Sequence, residues 1–349
     1  MSERLVKYTP PSWASHLQHI PKHFVQLATK PTPIQRWNFP GTPEQFEVYV
    51  KRGDLTGSLM TGNKVRRLEF VIAEAMERSC KHILTTGTVT SNQCRATAVA
   101  CAELGLKAHL FLMSKEKEVS ALSSDGNMLI NRMVGADMCV IDTLSYTEAC
   151  THMEKLAKQI KESTGELSSI IHNRDSNLIG IWGYIQCFQE IRDQGIELDD
   201  LVCVSGTAAT VSGLAIGNYL TGSGYRVHGI KVGMSCDPEE VLNDMLDGLG
   251  ITGVTATDIA SFHGGYEGLG YGINQPQELE FIGQVAANTG VILDPTYTGK
   301  AAYGLQGLLN DKPEVFKGRR VLFMFSGGAP SLHAAAVSSA LLPHATKSQ

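Results

Sequence analysis

Hydrophobic positions along the chain follow two rhythms. Short apolar runs of strand length recur at His82–Gly87, Ala108–Met113, Met138–Asp142, Ser169–His172, Leu201–Ser205, Val227–Val232 and Val321–Phe325, after an alternating run at Phe46–Lys51. Longer segments between them carry apolar residues at helical spacing: Lys64–Glu77, Asn92–Leu104, Tyr146–Glu162, Leu178–Asp193, Val211–Tyr219, Pro276–Asn288 and Ala301–Leu309. Strands spaced by helices predict βα repetition and mainly parallel sheets, an α/β fold. The first 40 residues hold Pro10, Pro11, Pro21, Pro31, Pro33 and Pro40 and predict an irregular arm on the body. No internal repeat, low-complexity tract or linker stands out.

Length and charge narrow the picture further. The chain of 349 residues is long enough for more than one domain and a large core. Its net charge of −5 gives no general field for nucleic acid or an anionic membrane. No run approaches the ~20 apolar residues of a membrane span. The start, Met1 to Lys7, has no apolar segment of a secretory signal and is not an Arg-rich presequence, so a cytoplasmic protein is expected. A mitochondrial form from a longer transcript stays compatible with this. The eight cysteines form no Cys-x-x-Cys pair and predict reduced thiols, with Cys139 and Cys203 buried in apolar runs. The eleven histidines form no ligand pair on a helix, and no metal site is expected.

In sheets of this kind ligands sit beyond the carboxyl ends of the strands, so the strand-to-helix turns carry the candidate chemistry. Lys64 follows Gly62-Asn63 and opens a helix. It is either a solvated Lys in a basic run or an amine made nucleophilic by partial burial. Ser91 and Asn92 precede a helix, where they cap it or receive a carboxylate or polar ring. Gly206-Thr207-Ala208-Ala209-Thr210 joins a strand to a helix and is either a plain turn or a phosphate cradle of backbone N–H groups. It is neither a P-loop nor a dinucleotide fingerprint. Tyr297, in Asp294 to Lys300, is either a core phenol or a proton donor and acceptor in a cleft. The glycine-rich segment Gly264 to Gly272 reads as a flexible loop, placed to serve as a lid.

Taken together these turns resemble one family. Pro10-Pro11-Ser12-Trp13-Ala14, Thr32-Pro33-Ile34, Gly62-Asn63-Lys64-Val65-Arg66-Arg67-Leu68-Glu69, Ser91-Asn92 with Cys94-Arg95-Ala96-Thr97, Trp182-Gly183-Tyr184, Leu293-Asp294-Pro295 through Gly304, and Ser326-Gly327-Gly328 resemble the D-cysteine desulfhydrase and aminocyclopropane-carboxylate deaminase group of pyridoxal-phosphate enzymes. The resemblance spans nearly the whole chain and is closest on the desulfhydrase side. It implies a tryptophan-synthase-β-like fold of two open parallel-sheet domains. The larger would hold residues 1–66 and 176–349, the smaller 67–175, with pyridoxal phosphate between them. It implies a homodimer and a small amino-acid substrate.

By position, the resemblance makes Lys64 the residue joined to the cofactor as a Schiff base and Asn92 the contact to its phenolic oxygen. Ser91 would meet the substrate carboxylate or assist proton transfer. Gly206, Thr207, Ala208, Ala209 and Thr210 would hold the phosphate. Tyr297 with Tyr271 would face the substrate, and Thr298 and Ser326 would lie near the pyridine ring. The deaminases carry Glu and Leu at these last two positions, whereas desulfhydrases carry hydroxyl residues. A hydroxyl leaves the ring a weaker electron sink, which suits loss of thiolate better than cyclopropane opening. The chain departs from the family at its phosphate turn, usually Gly-Ser-Gly-Gly-Thr, and at Gly53, Thr88 and Arg174-Asp175. Arg174 is either a recognition site for a second anionic group on the substrate or half of an exposed charge pair.

Overall fold

The computed structural model describes residues 2–116, 118–143, 145–171, 177–233 and 236–328. By contact the chain divides into two units. One comprises Met1–Thr9, Pro21–Ala28 and Gly57–Gly183, the other Pro10–Ile20, Thr29–Thr56 and Tyr184–Gln349.

The first unit is built on a four-stranded parallel sheet in the order Asp137–Ile141, Lys107–Met113, Cys80–Thr88, Leu167–Ile170. Side chains alternate across it. Ile83, Leu110 and Leu112 enter a core with Leu68 and Ile72 of helix Asn63–Glu77. Leu84 and Phe111 enter another with Ala149 and Met153 of helix Tyr146–Thr164. Both faces are thus covered, as a parallel sheet requires. Cys139 is a correction: it is exposed, because Asp137–Ile141 is an edge strand whose alternate residues face water.

The second unit carries a six-stranded sheet, Ser261–His263, Arg226–Lys231, Asp200–Ser205, Arg320–Phe325, Glu47–Arg52, Ile34–Arg36. All its pairings are parallel except the last, where Ile34–Arg36 runs antiparallel at the edge. The chain's last described strand therefore sits in the middle of this sheet. Its register, Met324 opposite Cys203 and Phe325 opposite Arg52, brings Ser205, Ser326 and Gly53 out side by side at the carboxyl edge.

The predicted elements are present among the described residues, with several differences: helices Gly126–Met133 and Ala256–Ile259 and strand Ser261–His263 were not expected, and the strand expected at Ser169–His172 is Leu167–Ile170, with His172 outside the described residues. The N-terminal arm is partly ordered as β-structure: Leu5–Lys7 pairs antiparallel with His23–Val25, and Ile34–Arg36 joins the large sheet. Three-residue strands leave too short a pattern to see. The expected helix Leu178–Asp193 is two helices, Asn177–Gly180 and Trp182–Asp193. Helix Pro238–Gly248 is additional, started by Asp237 capping Glu239 N–H and by Pro238 in the first turn. No helix among the described residues is long and apolar enough to cross a membrane.

Candidate active site

Lys64 is the second residue of helix Asn63–Glu77, whose N-cap Gly62 holds φ +97°. That backbone region is open to glycine and costly for other residues. Lys64 is half-buried. Burial, with the positive charge of Arg67 second, pushes its amine down to about 8. The solvated-Lys alternative is thus set aside: this amine is partly neutral near physiological pH and nucleophilic. The Trp182-Gly183-Tyr184 motif gains a reason here. A Cβ at Gly183 would lie 2.1 Å from the Arg66 carbonyl oxygen, so only glycine lets that segment lie against the start of the Lys64 helix.

Ser91 and Asn92 stand at the end of strand Cys80–Thr88, at the head of helix Asn92–Leu104. Ser91 caps the helix by accepting the Cys94 N–H at 3.1 Å. The cap uses only a lone pair of the hydroxyl, so capping and carboxylate binding are compatible. The Asn92 amide is oriented. Its Oδ1 accepts from Asn127 Nδ2 at 3.0 Å and from Arg95 Nη2 at 3.4 Å. Its Nδ2 is thereby turned outward as a donor, the polarity a phenolic oxygen needs.

Arg95 and Asn127, both fully buried, were given no role by sequence reasoning. Arg95 Nε donates to Asn127 Oδ1 at 3.0 Å, and its other nitrogens bind the carbonyls of Leu59 and Thr61. Arg95 therefore ties the segment that leads into Lys64 to the helix that carries Asn92. Burial pulls its guanidinium down to about 10. The local motif Cys94 to Thr97 was visible in sequence. Asn127 was not, because its bonds to Thr90 and Asn92 span more than thirty residues.

The remaining candidates lie in the second unit. Ala208 caps helix Ala209–Thr221 at φ +57°, in the left-handed region, and no side chain caps that helix. A helix start without a side-chain cap suits an anion. The buried Ser205 hydroxyl just before the turn has no hydrogen-bond partner among the described residues. A polar atom buried without a partner, next to an uncapped helix start, fits a phosphate at this position. Cys236 Sγ donates to the Gly206 carbonyl at 3.1 Å.

At the other turn, Asp294 is buried and accepts from the N–H groups of Thr296, Tyr297 and Thr298 and from the Thr298 hydroxyl at 2.6 Å. Burial raises this carboxyl in spite of those bonds. The Thr298 hydroxyl also accepts the Asp294 N–H at 2.9 Å, so its single proton is committed to Asp294. Tyr297 and Tyr271 are brought together: their hydroxyls hydrogen-bond and their rings meet edge-to-face, 5.7 Å between centroids. Ser326, half-buried, follows the central strand. Arg174 and Asp175 lie outside the described residues. Gly53 is also explained: a Cβ there would lie 2.5 Å from the Phe325 carbonyl oxygen.

Each unit thus carries features that suit an aldehyde-bearing phosphate cofactor: a lysine of lowered pKa and an outward amide donor in the first, an uncapped helix start in the second. The chain belongs to the pyridoxal-phosphate dependent enzyme family, whose model matches residues 25–327. Its cofactor is accordingly pyridoxal phosphate. Among named relatives it is 40% identical, over 95% of this chain and 85% of the other, to the mitochondrial bifunctional D-cysteine desulfhydrase/1-aminocyclopropane-1-carboxylate deaminase of Arabidopsis thaliana. It is 31% identical to the D-cysteine desulfhydrase of Salmonella paratyphi A, over 91% of this chain and 97% of that one. Among solved structures it resembles an ACC deaminase homologue with TM-score 0.80 and 30% identity, over 96% of this chain and 100% of that chain. The fold is that of the tryptophan-synthase-β-like pyridoxal-phosphate enzymes, and the protein is an enzyme of the lyase kind.

Proposed function

We propose that this enzyme eliminates hydrogen sulfide from D-cysteine, leaving pyruvate and ammonia. The observation that carries the reading is the pair of hydroxyl residues Thr298 and Ser326 where deaminases of the family resemblance carry Glu and Leu. At the first of these the neighbouring acid, Asp294, is taken up by three amides and the Thr298 hydroxyl. Pyridoxal phosphate, when bound, draws electron density from the substrate's α-carbon. Lys64 holds it, and with a pKa of about 8 its amine is able to take up the α-proton. Ser91 donates its hydroxyl proton to the substrate carboxylate. Asn92 Nδ2 meets the phenolic oxygen, and the turn Gly206 to Thr210 with Ser205 meets the phosphate. Tyr297 and Tyr271 face the reacting end, where thiolate leaves the β-carbon. Arg174 recognises a second anionic group on larger substrates. The protein works as a homodimer, as the resemblance implies.

A second reading is ring-opening deamination of 1-aminocyclopropane-1-carboxylate, favoured by the bifunctional name of the Arabidopsis relative. One assay separates the two. The loaded protein is given D-cysteine, L-cysteine, cysteate or aminocyclopropane carboxylate, while visible absorbance, sulfide, pyruvate and ammonia are followed. D-cysteine is expected to yield sulfide and pyruvate in equal amounts, with a specificity constant about tenfold or more above the others. Ammonia from the cyclopropane substrate at a higher specificity constant would overturn the first reading in favour of the second. Lys64→Ala is expected to lose both the visible band and turnover. Full activity in that variant rules out the lysine assignment.

A further inference from the structure

The glycine-rich segment from Gly264, whose composition suggests a loose lid, is tied to the body at several points. Tyr266 lies across helix Thr298–Asp311, where a Cβ at Gly304 or Gly307 would come 2.9 Å from its ring. Farther on, Asn274 Nδ2 donates to the Pro295 carbonyl at 2.6 Å. Between these two anchors stands Lys300, fully buried in the first turn of the same helix. Its ammonium donates to the carbonyls of Glu267 at 2.6 Å, Gly270 at 2.6 Å and Ile273 at 2.8 Å. Three bonds use all its protons. No carboxylate among the described residues lies within ion-pair distance of it; Glu278 and Glu267 act only at longer range. A buried charge is costly unless its hydrogen bonds are complete, so the three carbonyls must stay in place as long as the cation does.

Tyr271 is the residue these bonds bracket. Its backbone N would be 2.8 Å from a Cβ at Gly233, which leaves no room for the segment to shift that way. Its hydroxyl meets Tyr297, the N-cap residue of the helix that carries Lys300.

We propose that Lys300 is the positioning residue of the Tyr271–Tyr297 pair, a built-in cation that gathers three carbonyls and thereby sets the Tyr271 hydroxyl against Tyr297. The inference rests on the reading of these tyrosines as substrate-facing, and it deepens that reading. Its consequence is a rate effect, because a small misplacement of a reacting-end group costs turnover more than binding.

Hydrogen exchange and kinetics of the full-length loaded enzyme test it. In the unaltered protein the amides of residues 268–273 are expected to exchange as slowly as those of helix Thr298–Asp311. Exchange at the rate of an open loop overturns the proposal, whatever any variant does. In Lys300→Met the same amides should exchange about tenfold faster or more, with the rest of the protein unchanged. Its kcat for D-cysteine should fall about tenfold or more, with KM and the visible band nearly unmoved. Adding Tyr271→Phe should cost little more, since the hydroxyl is already displaced, and a fully additive loss counts against the proposal. In Lys300→Ala, ammonium or potassium ions should restore the protection; no restoration with either overturns the built-in cation. If no amino acid is turned over but exchange follows these expectations, the substrate reading fails and the positioning stands.

Discussion

Ala208 holds a conformation that glycine adopts without penalty. At φ +57° and 2% exposure its Cβ is strained and enclosed. A non-glycine residue in this region costs roughly 1 kcal/mol or more. Ala208→Gly should therefore stabilise the apoprotein by about 0.5–1 kcal/mol, after allowance for the looser unfolded chain, as denaturant unfolding will measure. Asn127 offers a sharper test. Asn127→Asp keeps the bond to Arg95 but sets a carboxylate against Asn92 Oδ1. Asn92 must then turn over, and the donor aimed at the phenolic oxygen becomes an acceptor. Affinity for pyridoxal phosphate should fall about tenfold or more in a direct titration, with folding intact. Lys64 gives a pH signature. Its amine must be neutral to attack the aldehyde, so the rate of cofactor uptake by the apoprotein should rise with pH around a midpoint of about 8. An ordinary Lys would place that midpoint near 10.5. Lys64, Ser91 and Asn92 were legible because their chemistry is written in neighbouring residues. The Thr298 bond to Asp294, at four residues' distance, was equally local yet unread, because only the folded turn shows which way the hydroxyl proton points.

Each sheet carries a chain of histidines and carboxylate across neighbouring strands. In the first, Glu166 binds His82 Nε2 at 2.7 Å, and His82 Nδ1 meets His109 Nε2 at 2.8 Å, with Asp137 at 3.3 Å beyond. In the second, Asp200 accepts from His228 Nε2 at 2.9 Å, and His228 Nδ1 accepts from His263 Nε2 at 3.0 Å. Asp200 is anchored in turn by the amides of Lys317 and Gly318. His82, His109, Asp200 and His228 lie toward the amino ends of their strands, away from the ligand edge, so their effect is on folding. Burial first, then the neighbouring His228 and Lys312, push His263 from 6.5 down to about 4. The unfolded chain therefore takes up this proton first as pH falls. The stabilisation is complete above about 6.5 and is lost as pH falls to about 4. The loss should be about 2 kcal/mol, discounted for partial exposure. His263→Gln keeps a donor for His228 and should flatten unfolding free energy across that window.

None of these chains was legible in the sequence, since adjacency across strands is a matter of register. The strands themselves were legible, because burial on both faces makes near-continuous apolar runs. Strands of three residues, such as Leu5–Lys7 and Ser261–His263, have no room for a period. Helix Pro238–Gly248 was readable from Asp237-Pro238 and the acids Glu239 and Glu240, signals of a helix start rather than of periodicity.

For the whole molecule, the cysteines are the most direct reporters of the fold. All eight are reduced and spread over both units. Cys80, Cys94, Cys101, Cys187 and Cys203 are buried, Cys150 and Cys236 are partly covered, and Cys139 is exposed. Burial pushes Cys94 up to about 11 and Cys101 to about 12, which removes their thiolate at neutral pH as well as their access. Thiol reagents attack the thiolate, so both factors act in the same direction. Native protein should therefore show one fast thiol, two slower ones and the remainder only in denaturant. Cys139→Ser should remove the fast phase and leave activity unchanged, since that residue lies on an edge strand remote in sequence from every site residue. The slower Cys236 carries a second message. Its thiol donates to the Gly206 carbonyl, so a bulky adduct there must break that bond and disturb the phosphate turn. Saturating pyridoxal phosphate should slow labelling of Cys236 and leave Cys150 unaffected. Equal rates at Cys236 with and without cofactor would mean that the turn beginning at Gly206 does not hold the phosphate.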